Sequence, residues 1–431
     1  MKTTLYLLFV FTIMLPTPAH AYLDPGSGNA LVYVLISFFG AFIFSLKSLF
    51  YAIMGKGAKA EAVGEKGEQD RIVIFSEGKQ YWNTFKPIVE ALLARKVPFS
   101  YYTMNVNDPC LEIDNPYLNN RYIGNGNMGY AKMGNLKADL VVATTPNIGT
   151  EGYPLPRSKN IKNLVHVFHA IESMPMYHIG SLDNYDSVML EGEYEGDMIR
   201  KLEKMRGLKE KKFVMAGLPY MDELAAKKQR ENIVNIKNDV TTVLVAPSWS
   251  TKGCLTEYGT DFIEDLAKAG FKVIVRPHPQ SLRVEKEMIA DMITKLSKYK
   301  NVSYDYEMDG SHSFAQADVM ISDRSRVRTD FMFLYEKPVI TLEVPNSSIE
   351  EFEMLYLQYS WLEEQLAENG YVVNHDNVKD IAEVVKKAVQ DVDVAKIREF
   401  RNKSVCNWGR SGEIIADYLV QESKRLQEVE Q

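Results

Sequence analysis

From residue 71 onward the chain is built of short apolar runs separated by stretches with helical spacing. Ile72-Val73-Ile74-Phe75, Leu140-Val141-Val142-Ala143, Leu164-Val165-His166-Val167-Phe168, Ser187-Val188-Met189-Leu190 and Phe213-Val214-Met215-Ala216 each read as a buried strand, and 97–102 is one more. Helical periodicity fills 81–93 and 194–205 between them. A highly charged helix is predicted at 222–238, and then the same grammar restarts. Val243-Leu244-Val245-Ala246, Phe271-Lys272-Val273-Ile274-Val275, Asp318-Val319-Met320-Ile321 and Pro338-Val339-Ile340-Thr341 are strands, with helices at 256–268, 327–335, 378–389, 394–402 and 414–427. Strands that are apolar throughout, rather than alternating, belong in parallel sheets covered on both faces. The restart predicts two consecutive doubly wound α/β domains, 71–238 and 239–431, with the final helix able to pack back across the interface between them.

The first seventy residues follow a different pattern. Residues 1–21 have a charged start, an apolar centre and the small-residue ending Ala19-His20-Ala21, the three parts of a signal-like segment. A second apolar stretch, 30–54, is long enough at ~1.5 Å per residue to cross a bilayer core of ~30 Å. Its only charge, Lys47, lies near one end. A linker, 55–70, carries Lys56, Lys59 and Lys66, which by the excess of basic residues on the inner side orients the domains toward the cytoplasm. The expectation is a single-pass anchor in the inner or cytoplasmic membrane. An uncleaved hairpin of two spans gives the same orientation.

Composition narrows the function. With 431 residues, 46% hydrophobic and 25% charged, the chain has material for two cores. A net charge of -7 excludes a general nucleic-acid binder, which needs a basic face. Cys110, Cys254 and Cys406 are isolated, so neither a disulfide framework nor a zinc site is expected. There is no Gly-x-Gly-x-x-Gly or Walker loop, which disfavours a dinucleotide oxidoreductase or a P-loop kinase. No acidic or His-rich cluster marks a metal site, and no cofactor is expected.

The candidate chemistry gathers where predicted strands end. Arg276-Pro277-His278-Pro279 follows one strand, and Ser322-Asp323-Arg324-Ser325-Arg326 follows another and opens a helix. The carboxyl ends of strands beside helix N-termini are where open α/β sheets bind ligands and where anions are favoured. These residues point to phosphate. Ser325 can present hydroxyl and amide together at a helix start. The prolines around His278 restrict its backbone and aim the ring. Of Arg324, Arg326 and Arg328, alternate positions cannot all face one ligand, so one of the three is expected at the phosphate. Asp330 is placed near the donor as an orienting carboxylate or ribose ligand. In the first domain Ser76, Glu77 and Thr145 end strands facing the cleft and are acceptor-side candidates. His169 ends another strand, while His166 reads as a satisfied core histidine.

Taken with Ala246-Pro247-Ser248-Trp249, Gly217-Leu218-Pro219 with Asp222, and Lys337-Pro338-Val339-Ile340, these motifs resemble those of the CDP-glycerol:poly(glycerophosphate) glycerophosphotransferase family, from about residue 71 to the end. The chain departs from the family at two places. The family's Trp-His-Gly is Phe168-His169-Ala170 here, and its Asp-x-Ser-Ser is Asp323-Arg324-Ser325-Arg326. The resemblance implies a GT-B fold and transfer of glycerol phosphate from CDP-glycerol, or a related CDP-alcohol, to a membrane-associated polymer or glycan acceptor, with release of CMP. It implies His169 as general base, His278 with Arg276 on the donor phosphates, and Pro247, Ser248, Asp323, Arg324, Ser325, Arg326 and Asp330 around the donor. The rival readings are a GT-B glycosyltransferase or epimerase using a UDP-sugar, and a silent nucleotide-binding envelope scaffold.

Overall fold

The computed structural model describes residues 70–429, leaving out 172, 250, 346–348 and 359. The signal-like segment, the 30–54 stretch and the linker up to residue 69 lie outside the described residues. Among the described residues no helix is long and apolar enough to cross a membrane.

The first sheet has seven strands: β1 (Asp70–Ser76), β2 (Phe99–Thr103), β3 (Leu118–Tyr122), β4 (Ala138–Ala143), β5 (Ile161–Val167), β6 (Ser187–Leu190) and β7 (Lys212–Met215). Their order is β3-β2-β1-β4-β5-β6-β7, and every pairing is parallel. β2 and β4 are buried along their whole length. The second sheet has β8 (Thr242–Val245), β9 (Lys272–Val275), β10 (Val302–Tyr304), β11 (Val319–Ser322), β12 (Val339–Leu342) and β13 (Tyr371–Val373), in the order β10-β9-β8-β11-β12-β13, again all parallel. In each sheet the order reverses between the first and fourth strands, β1/β4 and β8/β11. That reversal opens a crevice at the carboxyl edge.

The charged connecting helix is shorter than its sequence suggests. It runs Pro219–Arg230 and not 222–238. Asn232 turns left-handed at φ 52, and the Asn235 and Asn238 side chains then bond to the carbonyls of Tyr335 and Gln316, fastening the segment to the second domain in an extended path.

The last helix, Ser411–Glu428, departs from the 239–431 span. Its Ile415, Ala416 and Leu419 sit in the first domain's core with Ile72, Phe85, Ile88 and Leu140. It approaches the helix Trp82–Ala94 so closely that a Cβ on Gly412 would stand 2.5 Å from the Pro87 carbonyl oxygen. The Asp222 carboxylate holds its start, accepting the amides of Gly409 at 2.6 Å and Ser411 at 2.8 Å. A second tie crosses the domains on the other side. His178 bridges and stacks on Phe352, and Arg206 bonds both Asp183 and Glu353.

Candidate functional site

A cavity of about 440 Å³ opens between the domains. Of the residues expected at the donor, Pro247, Arg276, His278, Ser325 and Asp330 line it. It is completed by residues that sequence reasoning did not single out: Asn83 from the first domain, Tyr220, Lys227 and Lys228 from the connecting helix, and Ser311. Tyr220 sits inside the Gly-Leu-Pro-Tyr-Met-Asp motif, the one signal that could have drawn attention to it.

At the cleft the two domains meet at His169 and Arg326. His169 follows β5 and Arg326 precedes the helix Val327–Tyr335, and the Arg326 Nη1 donates to His169 Nε2 at 3.3 Å. Because a guanidinium is always a donor, Nε2 is the acceptor and the ring's proton is on Nδ1. Burial first, then the Arg326 charge, lowers the His169 imidazole to about 4. Tyr81 stands edge-on to the ring, centroids 5.2 Å apart. Behind Arg326 lies Asp330. Tyr220 donates to its Oδ2 at 3.0 Å, and burial raises the carboxyl to about 6.

His278 is held as its flanking prolines suggest. The Gln280 amide donates to its Nδ1 at 3.1 Å, so the neutral ring carries its proton on Nε2 and can act as a donor from there. Burial moves its pKa down, against the pull of Glu285 and Asp323, favouring that neutral form.

Other expected donor ligands prove to be braces. Arg276 borders the cavity, and its Nη1 pairs with Asp305 at 2.6 Å while its Nη2 bonds the Met308 carbonyl at 3.2 Å, so part of its fork fixes the 305–308 loop. Asp323 is fully buried and turned away. Its two oxygens accept the amides of Ser248 at 3.0 Å and Cys254 at 2.7 Å, shaping the loop after β8. Ser248 is outside the cavity lining and supplies that amide. Arg328 is buried in a two-pronged pair with Glu363, with Thr341 also accepting from it. Arg324 lies outside the cavity lining. Of the three arginines, Arg326 is the one at the cleft.

In the first domain Thr145 donates to Glu77 Oε2 at 2.8 Å, and burial raises the Glu77 carboxyl, so these two meet at the β1/β4 crevice. Ser76 does not join them. Fully buried, it exchanges hydrogen bonds with Gly78 and closes the turn after β1. Nor is His166 satisfied. Both its ring nitrogens are buried with no hydrogen-bond partner among the described residues, and it packs edge-on against Phe168 and Tyr185. Among the described residues no three His, Cys, Asp or Glu side chains gather as a metal site.

A family model described as CDP-Glycerol:Poly(glycerophosphate) glycerophosphotransferase matches residues 179–413, just over half of the chain. No curated protein matches it. Among solved structures, the wall teichoic acid polymerase TagF is similar at 17% identity and a TM-score of 0.53, over 90% of this chain and 98% of that one. A point variant of TagF soaked with CDPG is similar at 16% identity and a TM-score of 0.51, with the same coverage. The UDP-GlcNAc 2-epimerase from Neisseria meningitidis bound to UDP-GlcNAc is similar at 12% identity and a TM-score of 0.53, over 81% of this chain and 100% of that one. At these identities the likeness is one of fold, a GT-B-like pair of α/β domains.

Proposed function

As a member of the CDP-glycerol:poly(glycerophosphate) glycerophosphotransferase family, the chain is a CDP-glycerol glycerophosphotransferase-like enzyme, and we propose that it moves glycerol phosphate from CDP-glycerol to a hydroxyl of a membrane-associated polymer or glycan, releasing CMP. The observation that carries this reading is the meeting of His169 from the first domain with Arg326 from the second, near the cavity that His278 and Ser325 line. His169 Nε2 takes the proton of the acceptor hydroxyl. The acceptor oxygen bonds to the phosphorus that carries glycerol, and the bond from that phosphorus to the bridging oxygen breaks, its electron pair leaving with CMP. His278, through Nε2–H, the Ser325 hydroxyl and the Arg326 guanidinium stabilise the charge that gathers on the phosphoryl oxygens and the leaving group. Positioning and preorganised charge do most of the work in such transfers.

Glu77 and Thr145, at the carboxyl edge of the first sheet, are proposed for the acceptor. Anchoring through 30–54, with the domains on the cytoplasmic side, is proposed from the sequence pattern and would bring the site to a membrane-borne acceptor.

The test is CMP release from CDP-glycerol by the full chain with membrane lipid extract as acceptor. His169→Ala and His278→Ala, each verified as folded by its melting curve, are expected to lose at least ~10²-fold in rate, the usual contribution of a general base or an electrostatic donor. A wild-type chain that neither releases CMP nor binds CDP-glycerol by calorimetry refutes the proposal.

A further inference from the structure

We propose that Arg326 is a donor-operated cap on the general base: its guanidinium occupies the His169 lone pair that must receive the acceptor's proton, and the diphosphate of an arriving donor draws it away. This rests on the reading of the cleft given above, and adds to it an order of events and a residue that enforces it.

The geometry supplies both positions of the cap. Arg326 follows Ser325, which lines the cavity, so its backbone is fixed at the phosphate-facing start of the helix Val327–Tyr335. Its side chain extends to the other domain, where Nη1 lies 3.3 Å from His169 Nε2. A bond from a guanidinium to a neutral imidazole is weak beside one to a phosphate, which is charge-assisted and can be two-pronged. A diphosphate within reach of Arg326 therefore outcompetes the imidazole. The serine that the resembled family has at this position is too short to span the cleft, so the cap belongs to this chain and not to the motif.

The surroundings fit a ring that is restrained until the donor binds. His169 faces Tyr81 from the first domain and Arg326 from the second, with His166 behind it on β5 and Asp330 on the far side of the guanidinium. Burial and the Arg326 charge hold the imidazole near 4, where it is a poor proton acceptor. Once the guanidinium lies against a phosphate, its bond to Nε2 is gone and its charge is offset, and the ring becomes more basic. Proton abstraction then waits for the donor.

The test follows the His169 ring by nitrogen-15 NMR in the histidine-labelled full chain, its signal among the seven histidines assigned by its loss in His169→Gln. The probe is CDP, which carries the diphosphate and no group to transfer. In wild type, CDP is expected to raise the titration midpoint by on the order of 1 pH unit, the usual scale for one adjacent charge. In Arg326→Ser the midpoint is already raised by a similar amount, and CDP moves it less than in wild type. Arg326→Gln, which keeps most of the side-chain length without the charge, repeats the measurement should the serine variant fold poorly. CDP that binds by calorimetry without moving the wild-type midpoint, or an uncapped variant with the wild-type midpoint, overturns the cap and leaves the donor reading standing. Failure of both CDP and CDP-glycerol to bind overturns the two together.

Discussion

Replacing Asp323 by alanine removes both acceptors that hold the loop after β8. The carboxylate is fully buried, and the Ser248 and Cys254 amides point at its two oxygens from 3.0 and 2.7 Å. A hydrogen bond to a charged acceptor contributes ~1.5–3 kcal/mol, and a buried amide left without an acceptor carries its desolvation penalty in full. Two such amides place the loss at about 3–6 kcal/mol. For a domain of this size each kcal/mol moves Tm by ~2–4 °C, so Asp323→Ala is expected to lower the melting of the second domain by about 6–24 °C. Asp323→Asn keeps one oxygen and should lose about half as much. The assay is differential scanning calorimetry of the three proteins, paired with calorimetric binding of CDP-glycerol well below each Tm. Because Pro247 lines the cavity on the loop that Asp323 braces, affinity should weaken together with stability. A variant that melts within ~2 °C of wild type yet no longer binds CDP-glycerol would refute the brace and return Asp323 to the ligand.

Asp330 and Arg328 test the same distinction from other sides. Burial holds the Asp330 carboxyl at about 6, above its ordinary ~3.9, so the folded protein keeps a proton there that the unfolded chain gives up. That contribution to stability is complete below ~4 and lost as pH rises through about 6. Asp330→Asn is accordingly expected to melt with wild type near pH 4 and above it near pH 7.5, and an equal gap at both pH values would sink the argument. Arg328→Ala removes a buried guanidinium from its pair with the part-exposed Glu363 and should cost about 1.5–3 kcal/mol in thermal unfolding with an unchanged KM for CDP-glycerol. A raised KM at unchanged Tm would instead put Arg328 on the donor.

The parallel sheets were legible because their central strands carry short unbroken apolar runs, Ile72 to Phe75 and Leu140 to Ala143 among them, rather than an alternating pattern. The edge strands were not. β3 reads Leu-Asn-Asn-Arg-Tyr, and β10 and β13 have three residues each, because an edge strand buries little and carries no apolar signature. At the site, sequence marked the right loops without sorting the residues inside them. Arg276 and His278 share one turn, yet only His278 has a ring nitrogen free of the local brace. Asp323 and Arg326 share another, yet only Arg326 reaches the cleft. The sorting depends on partners distant in the chain, Asp305, the Cys254 amide and His169, that no local pattern exposes. The Gly-Leu-Pro-Tyr-Met-Asp motif carries this furthest. A Cβ on Gly217 would stand 2.2 Å from the Cys406 carbonyl oxygen, and Asp222 receives amides 187 and 189 residues later, so the two ends of the motif clasp the returning chain. Between them Tyr220 reaches the second domain and donates to Asp330. One short segment thus ties the last helix to the first domain and contacts the carboxyl behind Arg326. The meeting of Arg326 with His169 therefore depends on a motif that supplies neither residue.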